Sequence, residues 1–307
     1  MDELTVHTPS RREPSRMTQQ DLASVVPIQV GARGAGAAFL VPGAGATVSA
    51  FLSLAQCFGP DTTLYGLQPR GFDGALPPHA TVEEAATEFV ACIRKICPRG
   101  PYRIVGHSFG GWIAYEIGLR LAALGESLHS VIMLDSEPPG FLDEPPESLT
   151  PREERVWTLL RLCRLLEMSA GTKFNIDQDQ LEVLAERQQL EALGQAMKAA
   201  GMLSPASRLA VVESMVRVFA VNLRTYYVPA AVVPGEVVLV FPEEQPDDDP
   251  DEEPLDIEKR LEQWRRHVPH LRTVSTPGNH MTMLDSPNVT TIGQLLNSLW
   301  GRRTVCG

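Results

Sequence analysis

The sequence predicts an α/β fold, with a mostly parallel central sheet, helices on both of its faces and an inserted helical block. Between residues 36 and 300, short apolar runs alternate with amphipathic helical patterns, which is typical of a parallel sheet covered on both sides. Between about residues 140 and 227, three helical patterns follow one another without an intervening strand. At 307 residues, the chain is long enough to bury a substantial core.

The two flanking segments are predicted to lie outside this fold. Residues 1–35 are polar, contain Pro and become rich in Gly and Ala, which indicates a flexible linker before a fold that begins near Ala37. Residues 301–307 form a short tail. The N-terminus shows no secretory signal and no apolar run approaches the length of a membrane span, so a cytoplasmic protein is expected.

Six short apolar runs have the length and composition of buried strands. They are AFLVPG (38–43), LYGLQ (64–68), YRIVGHS (102–108), SVIMLD (130–135), EVVLVF (236–241) and LRTVST (271–276).

Two helices are predicted from apolar stripes at helical spacing. Residues 109–125 end at Gly125, which favours a helix C-terminus. Residues 286–300 begin with Ser286 as a predicted N-cap and Pro287 at the first helical position. The two stripes are Ile113, Ile117, Leu121 and Leu124 in the first helix and Ile292, Leu295, Leu296 and Leu299 in the second.

The helical block at about 140–227 contains three start signals: a capping box at Thr150–Glu153, a similar signal at Asp177–Gln180, and Ser204–Pro205. A block of helices inserted into an α/β sheet is commonly a lid over the active site. The alternative is a helical subdomain without a gating role.

Charge and cysteine content exclude several functions. A net charge of −11 argues against nucleic-acid binding, which needs clustered Lys and Arg. Much of the acidity lies in residues 242–258, which indicate a solvated loop rather than a recognition surface. The five cysteines have spacings that match neither a disulfide framework nor a metal site, so reduced thiols are expected.

Ser108 is the candidate nucleophile. Gly106, Ser108 and Gly110 form a Gly-x-Ser-x-Gly pattern between a predicted strand and a predicted helix. Glycines let the backbones of a sharp turn approach, and the serine then projects from its tip. The backbone N–H of Phe109, at the helix start, is placed to stabilise an oxyanion.

A serine nucleophile needs a base, and His280 is the best of seven histidines. It lies in a Gly/Asn loop directly after the last predicted strand, the position of the base in the chain order Ser, acid, His. His107 adjoins Ser108 and is predicted to be a packing residue. The remaining candidates lie in the N-terminal segment, a Pro-rich loop and polar segments: His7, His79, His129, His267 and His270.

The acid that orients the histidine has two predicted positions. Asp135 ends the strand after the predicted elbow helix, at the carboxyl edge of the sheet where α/β proteins bind ligands. The alternatives follow the next strand and are Glu243, Glu244 and Asp247.

The Gly-rich loop after the first of these strands is predicted to supply a second oxyanion donor. Its backbone can approach a ligand closely, and Ala44 is the favoured N–H donor, with Gly45 next. The loop matches neither a P-loop nor a dinucleotide fingerprint, so no cofactor is implied.

Several of these segments resemble the thioesterase domains that end nonribosomal peptide synthetases, which are α/β-hydrolases. The segments are VPGAGATVSAFLSLAQCF, LYGLQPRGFDG, PYRIVGHSFGGWIAYEIGLRLAALGE, VIMLDSEPP and GNHMTML. The resemblance covers roughly Ala37 to Trp300, and in the helical block it is architectural only.

The resemblance implies Asp135 as the acid, because the family's release domains place it in an LLDSxPP-like stretch that MLDSEPP matches. It further implies that Ser108, His280 and Asp135 act on an acyl or peptidyl thioester carried on the phosphopantetheine of a carrier protein. Release then gives either a free acid or a macrocycle.

No carrier-protein domain precedes the predicted domain, so the chain is either an excised terminal domain with its linker or a free-standing enzyme. Three rival functions stay open. They are a stand-alone editing (type II) thioesterase, in which the acid follows the later strand, a general carboxylesterase, and a catalytically silent interaction module.

Overall fold

The computed structural model describes residues 24–31, 36–140, 149–244 and 257–301, and these form a seven-stranded sheet covered by helices. The order is β1-β3-β2-β4-β5-β6-β7; β1 is antiparallel to β3 and every other pair is parallel. The strands are β1 (Val25–Gln29), β2 (Ala37–Val41), β3 (Thr63–Leu67), β4 (Tyr102–His107), β5 (Leu128–Leu134), β6 (Glu236–Pro242) and β7 (Arg272–Thr276). All six predicted strands are confirmed.

The first strand corrects the prediction that the fold begins near Ala37. Val25–Gln29 pairs with β3 at the edge of the sheet, and Val25 is buried in the core. Pro27 is compatible with this position because an edge strand leaves some backbone N–H groups unpaired. Residues 1–23 and 32–35 of the predicted linker lie outside the described residues.

Alternating side chains of the strands enter two hydrophobic cores, one on each face of the sheet. On one face lie α2 (Val82–Ile96), α3 (Phe109–Ala123) and α8 (Ile257–His267); on the other lie α1 (Leu52–Ala55) and α9 (Val289–Trp300). The predicted helix end at Gly125 is confirmed by its positive φ of 76° just beyond α3. Within the described ranges, no helix has the length and apolarity needed to cross a membrane.

The start of α9 differs from the prediction. The helix begins at Val289, and Ser286 is not its N-cap. Residues 286–288 instead form a turn, in which Thr290 N–H donates to the Pro287 carbonyl oxygen at 3.1 Å. The residues that were predicted to begin the helix, Ser286 and Pro287, therefore lie in a tight turn before it.

The helical insert (150–223) lies between β5 and β6 and contains four helices instead of the three predicted. These are α4 (Pro151–Ala170), α5 (Gln178–Val183), α6 (Glu186–Ala199) and α7 (Leu209–Leu223). The Thr150–Glu153 capping box and the Asp177 N-cap are confirmed. Leu184 adopts an extended conformation and divides the second predicted helix. A separate hydrophobic cluster holds the four helices together.

The order of the strands determines where the candidate site lies. From β2 the chain moves outward to β3 and then returns to add β4 on the other side of β2. The loops that leave the carboxyl ends of β2 and β4 therefore diverge and open a crevice, where α/β sheets bind ligands. The first of these loops begins at Pro42 and the second contains Ser108.

Candidate active site

Ser108 lies at a sharp turn between β4 and α3, with the unusual backbone angles φ 53° and ψ −126°. A Cβ atom on Gly106 would lie 2.0 Å from the Gly110 carbonyl oxygen, and one on Gly110 would lie 2.4 Å from the Val41 and Pro42 carbonyl oxygens. Neither position can therefore hold a larger residue without moving the backbone. The strained turn presents the Ser108 side chain at the crevice, and it is partly exposed there.

Asp135 and His280 form a direct pair beside this turn. Asp135 directly follows β5 with a positive φ of 44°, and its Oδ2 lies 2.7 Å from His280 Nδ1. Burial alone would raise the pKa of Asp135. The hydrogen bond and charge of His280, together with the nearby charge of Arg260, outweigh burial and lower the pKa to about 2. Because the carboxylate is ionised, Nδ1 of His280 carries the proton and Nε2 has the free lone pair.

Two of the alternative acids after β6, Glu243 and Glu244, are described by the structure and have partners other than His280. Glu243 accepts a hydrogen bond from the Ser275 hydroxyl at 2.9 Å on the exposed surface, and Glu244 N–H donates to the Gly278 carbonyl at 3.1 Å. Asp247 lies outside the described residues. The structure thus brings His280 to Asp135 across the end of β6, although β6 lies between their two strands.

The remaining histidines lie elsewhere or outside the described residues. His79 contacts Glu88 at 3.2 Å, and His129, His267 and His270 lie near the amino ends of β5 and β7, away from Ser108. His7 is not among the described residues. In the described ranges, no group of three or more His, Cys, Asp or Glu side chains is placed to hold a metal ion.

Three residues that the sequence analysis missed anchor the Asp135 segment. Arg260 Nη2 donates to Asp135 Oδ1 at 3.2 Å, and the indole N–H groups of Trp112 and Trp264 donate to the Glu137 and Ser136 carbonyls at 2.7 and 2.9 Å. A buried tryptophan usually has a hydrogen-bond acceptor for its N–H. The sequence could therefore indicate that Trp112 and Trp264 have acceptors, but not which carbonyls they are. No local pattern pointed to Arg260.

His107 links the nucleophile turn to the histidine loop. Its Nε2 lies 2.9 Å from the His280 carbonyl oxygen, and the two imidazole rings pack with centroids 5.0 Å apart. Since a carbonyl only accepts, His107 carries its proton on Nε2. It is a packing residue, as predicted, and also a hydrogen-bond donor. Among the described residues, no hydrogen bond joins Ser108 Oγ to the His280 ring. The bond from His107 to the His280 carbonyl connects the serine turn to the histidine loop.

We expect His107 to make the fold sensitive to mild acid. Burial, followed by the charge of His280, lowers the pKa of His107 to about 4, against the opposing effects of its hydrogen bond and Asp135. As pH falls below the unfolded value of about 6.5, the unfolded chain binds a proton that the folded chain does not. Stability is therefore present above about pH 6.5 and decreases by about 3 kcal/mol as pH falls to about 4.

Urea unfolding followed by circular dichroism at pH 7.5 and pH 5 measures this loss. His107→Gln keeps an N–H donor but does not titrate, so its free energy of unfolding should fall much less between the two pH values. An equal fall in both proteins would contradict the assignment of the acid sensitivity to His107.

The Gly-rich loop after β2 packs against the nucleophile turn. A Cβ atom on Gly43 would lie 3.2 Å from both Ser108 Cβ and His107 Nδ1, and Ala46 N–H closes the turn onto the Gly43 carbonyl at 3.1 Å. Phe109 is the first residue of α3, where backbone N–H groups have no acceptor within the helix. The two predicted oxyanion donors, Phe109 and Ala44, thus lie on segments that meet at Ser108.

Gly45, the second choice for the oxyanion donor, already has a partner. Its N–H donates to the side-chain Oδ1 of Asn222, on helix α7 of the helical insert, at 3.4 Å in a buried position. Of the two predicted donors in this loop, Ala44 is thus the one whose N–H has no hydrogen-bond partner among the described residues. Sequence reasoning missed Asn222, since the helical pattern of α7 does not indicate which loop the helix contacts.

Known proteins similar to this chain agree on one family and one fold. The family model of the thioesterase domain matches residues 38–298. Atromentin synthetase nps3 of Serpula lacrymans var. lacrymans (strain S7.9) is 29% identical over 194 residues, which are 62% of this chain and 18% of that protein. The chain thus spans less than a fifth of the length of this curated relative.

Two solved structures illustrate the shared fold. A four-domain nonribosomal peptide synthetase bound to AMP and glycine is 24% identical, with a TM-score of 0.73 over 90% of this chain and 20% of that chain. The type II thioesterase BorB from the borrelidin biosynthetic cluster is 16% identical, with a TM-score of 0.60 over 90% of this chain and 97% of that chain. The predicted α/β-hydrolase fold is confirmed.

Proposed function

The chain belongs to the thioesterase domain family, and we propose that it releases an acyl or peptidyl chain from the phosphopantetheine thioester of a carrier protein through an acyl-Ser108 intermediate. The observation that carries this proposal is the 2.7 Å contact between His280 Nδ1 and Asp135 Oδ2 beside a strained serine turn. An ionised carboxylate on Nδ1 leaves Nε2 of His280 able to accept a proton from a serine hydroxyl.

In the acylation step, Ser108 Oγ attacks the thioester carbonyl carbon while His280 Nε2 takes the hydroxyl proton. The carbon–sulfur bond of the tetrahedral intermediate then breaks, and the imidazolium returns its proton to the pantetheine sulfur. The acyl group is left as an ester on Ser108, and the carrier leaves as a free thiol. Asp135 holds the imidazole orientation and stabilises its charged form throughout.

The negative oxygen of the tetrahedral intermediate is assigned to the backbone N–H groups of Phe109 and Ala44. Dipoles that are already oriented by the fold stabilise this charge without reorganising during the reaction. The helix α3 adds to the effect, because the N-terminus of a helix favours negative charge. The turn at Gly43 and the Asn222 contact to Gly45 support the loop that carries Ala44.

The second step transfers the acyl group from Ser108 either to water, giving an acid, or to a hydroxyl or amine of the chain itself, giving a macrocycle. His280 takes the proton of the incoming group and delivers it to Ser108 Oγ. We place the acyl chain along the helical insert, where Val218 and Asn222 of α7 lie beside Phe109 and Gly43 around a small cavity. In this proposal the helical insert acts as the lid over that chain.

A stand-alone editing (type II) thioesterase is the second candidate, because the fold also resembles BorB. Such an enzyme would hydrolyse short acyl groups on a carrier, with the same Ser108 chemistry. The pairing of His280 with Asp135 in place of Glu243 or Glu244 favours the release function. Neither candidate uses a bound cofactor of this chain; the phosphopantetheine belongs to the carrier protein.

Intact-protein mass spectrometry with peptidyl- and acetyl-pantetheine thioesters tests the proposal. We expect the peptidyl thioester to acylate the protein and to be released faster than the acetyl thioester. Chromatography of the products then shows whether a linear acid or a ring is formed. Faster turnover of the acetyl thioester would favour the editing function, and faster turnover of a simple oxygen ester than of either thioester would overturn both.

A further inference from the structure

Helix α7 of the helical insert contacts the Gly-rich loop after β2. Asn222 Oδ1 accepts the Gly45 N–H, and a Cβ atom on Gly45 would lie 2.9 Å from Phe219 Cβ, so the loop backbone lies directly on this helix. Ala44 packs against the hydrophobic cluster of the insert, in which Phe219 is also buried. The loop that carries the proposed oxyanion donor thus packs into the insert as well as against the sheet.

The Asn222 bond has a specific consequence for the geometry of this loop. A buried backbone N–H without an acceptor costs about 1–3 kcal/mol, so the Gly45 N–H orients toward Asn222. Gly45 has a positive φ of 66°, and the Ala46 N–H to Gly43 carbonyl bond closes the same turn. The Asn222 bond holds the peptide unit between Ala44 and Gly45, and the Ala46 bond holds the Gly43 carbonyl, which shares its peptide unit with the Ala44 N–H. Ala44 thus lies between two peptide units that are each hydrogen-bonded.

We propose that Asn222 is a positioning residue of the lid that sets the oxyanion hole by holding the Gly45 N–H, and with it the Ala44 N–H. The inference rests on the proposed acyl-Ser108 chemistry and deepens it. It assigns to the helical insert a direct role in transition-state stabilisation in addition to covering the substrate. Movement of α7 away from the sheet would loosen the loop and lower the rate of acylation.

A second contact keeps α7 in place when Asn222 is changed. Arg217, on the same helix, donates to the Gly71 carbonyl in the loop after β3. Val218 also lies close to Gly71, since a Cβ atom there would be 2.9 Å from Val218 Cγ2. Substitution at Asn222 therefore removes the link to Gly45 while the helix stays anchored at Gly71.

The test compares Asn222→Leu, which removes the acceptor at similar volume, with Val212→Ala, which weakens the packing of the same helix beside Gly194, ten residues before Asn222. The substrate is a p-nitrophenyl ester, which releases nitrophenol when Ser108 is acylated and turns over when water hydrolyses the acyl-Ser108 ester; both steps pass through a tetrahedral oxyanion. We expect Asn222→Leu to lower kcat by about 10- to 100-fold with KM within about twofold, because a misaligned oxyanion donor affects the transition state more than the ground state. Val212→Ala should lower the melting temperature and leave kcat within about twofold.

The affinity for an arylboronic acid distinguishes a role in the oxyanion hole from a purely structural role. Its adduct with serine is tetrahedral and places an oxygen in the oxyanion hole, so Asn222→Leu should weaken its affinity by about the factor lost in kcat. Unchanged kcat, unchanged boronate affinity, or an equal kcat loss in Val212→Ala would each overturn the proposal. If the leucine variant does not fold, Asn222→Ser, which is small, polar and too short to reach Gly45, is measured in its place.

Ser108→Ala in the same assay separates this inference from the function on which it rests. If Ser108→Ala loses ester turnover and Asn222→Leu does not, only the role of Asn222 is wrong. If Ser108→Ala keeps the turnover of the parent protein, the acyl-serine chemistry itself is wrong.

Discussion

Replacing Ser108 with alanine should reduce thioester turnover by about 10⁵- to 10⁶-fold and abolish the acyl-enzyme adduct, because the Ser108 hydroxyl forms the ester in the proposed mechanism. The proposed oxyanion donors are backbone N–H groups, which this substitution does not remove, so residual rate enhancement over the uncatalysed reaction is expected. Intact mass measured seconds after mixing with an acyl-pantetheine thioester gives the adduct, and thiol release measured with a chromogenic disulfide gives the turnover.

Ser275→Ala is the matched control, since Ser275 is an exposed serine near the same edge of the sheet and its hydroxyl donates to Glu243. It should keep adduct formation and turnover at the level of the parent protein. Melting temperatures of both variants show whether the fold is intact. An adduct of normal mass in folded Ser108→Ala would show that acylation takes place at another residue.

Replacing Asp135 with asparagine is the second large effect, with an expected fall in kcat of about 10⁴-fold. The carboxylate accepts the Nδ1 proton of His280, whereas the amide of asparagine can present a donor and stabilise the imidazole tautomer that has its proton on Nε2. That tautomer cannot take the proton of Ser108. Arg260 would also lose one of its two carboxylate partners but would keep Glu137, at 3.1 Å, so the segment stays anchored.

Single-turnover kinetics of Asp135→Asn, compared with Glu243→Gln and Asp247→Asn, tests the acid assignment against the alternatives after β6. Glu243 is bonded to Ser275 on the surface, so its variant should stay within about twofold of the parent protein. A larger loss in Glu243→Gln or Asp247→Asn than in Asp135→Asn would move the acid to the later strand and favour the editing class.

Most of the fold could be predicted because its signals are local. The six strands are short apolar runs between turn residues, and the capping box at Thr150–Glu153 needs only four consecutive residues. The predictions that failed concern the start of α9, the number of helices in the insert and the edge of the sheet. Val25–Gln29 contains Pro27 and gains its stability by pairing with β3, which its own composition does not indicate.

Within the candidate site, the serine turn was the most predictable part. Gly106 and Gly110 contact each other across the turn itself, so the requirement for glycine is visible in five consecutive residues. The position of His280 also followed from the sequence, because a loop after the last strand must lie at the carboxyl edge of a parallel sheet. The acid remained open on the residues alone, since Asp135 and Glu243 both follow strands that end at this edge.

The sequence by itself determined the α/β class, the serine turn and the candidate residues Ser108 and His280, because these depend on a five-residue pattern and on a place after the last strand. It left the acid between Asp135 and the residues after β6, and the family resemblance favoured Asp135. Only the tertiary structure decided which side chains meet. His280 and Asp135 are 145 residues apart, Arg260 and Asp135 are 125 apart, and Asn222 and Gly45 are 177 apart. Contacts over such separations depend on strand order and on how the insert packs, which are properties of the whole chain and not of any single segment.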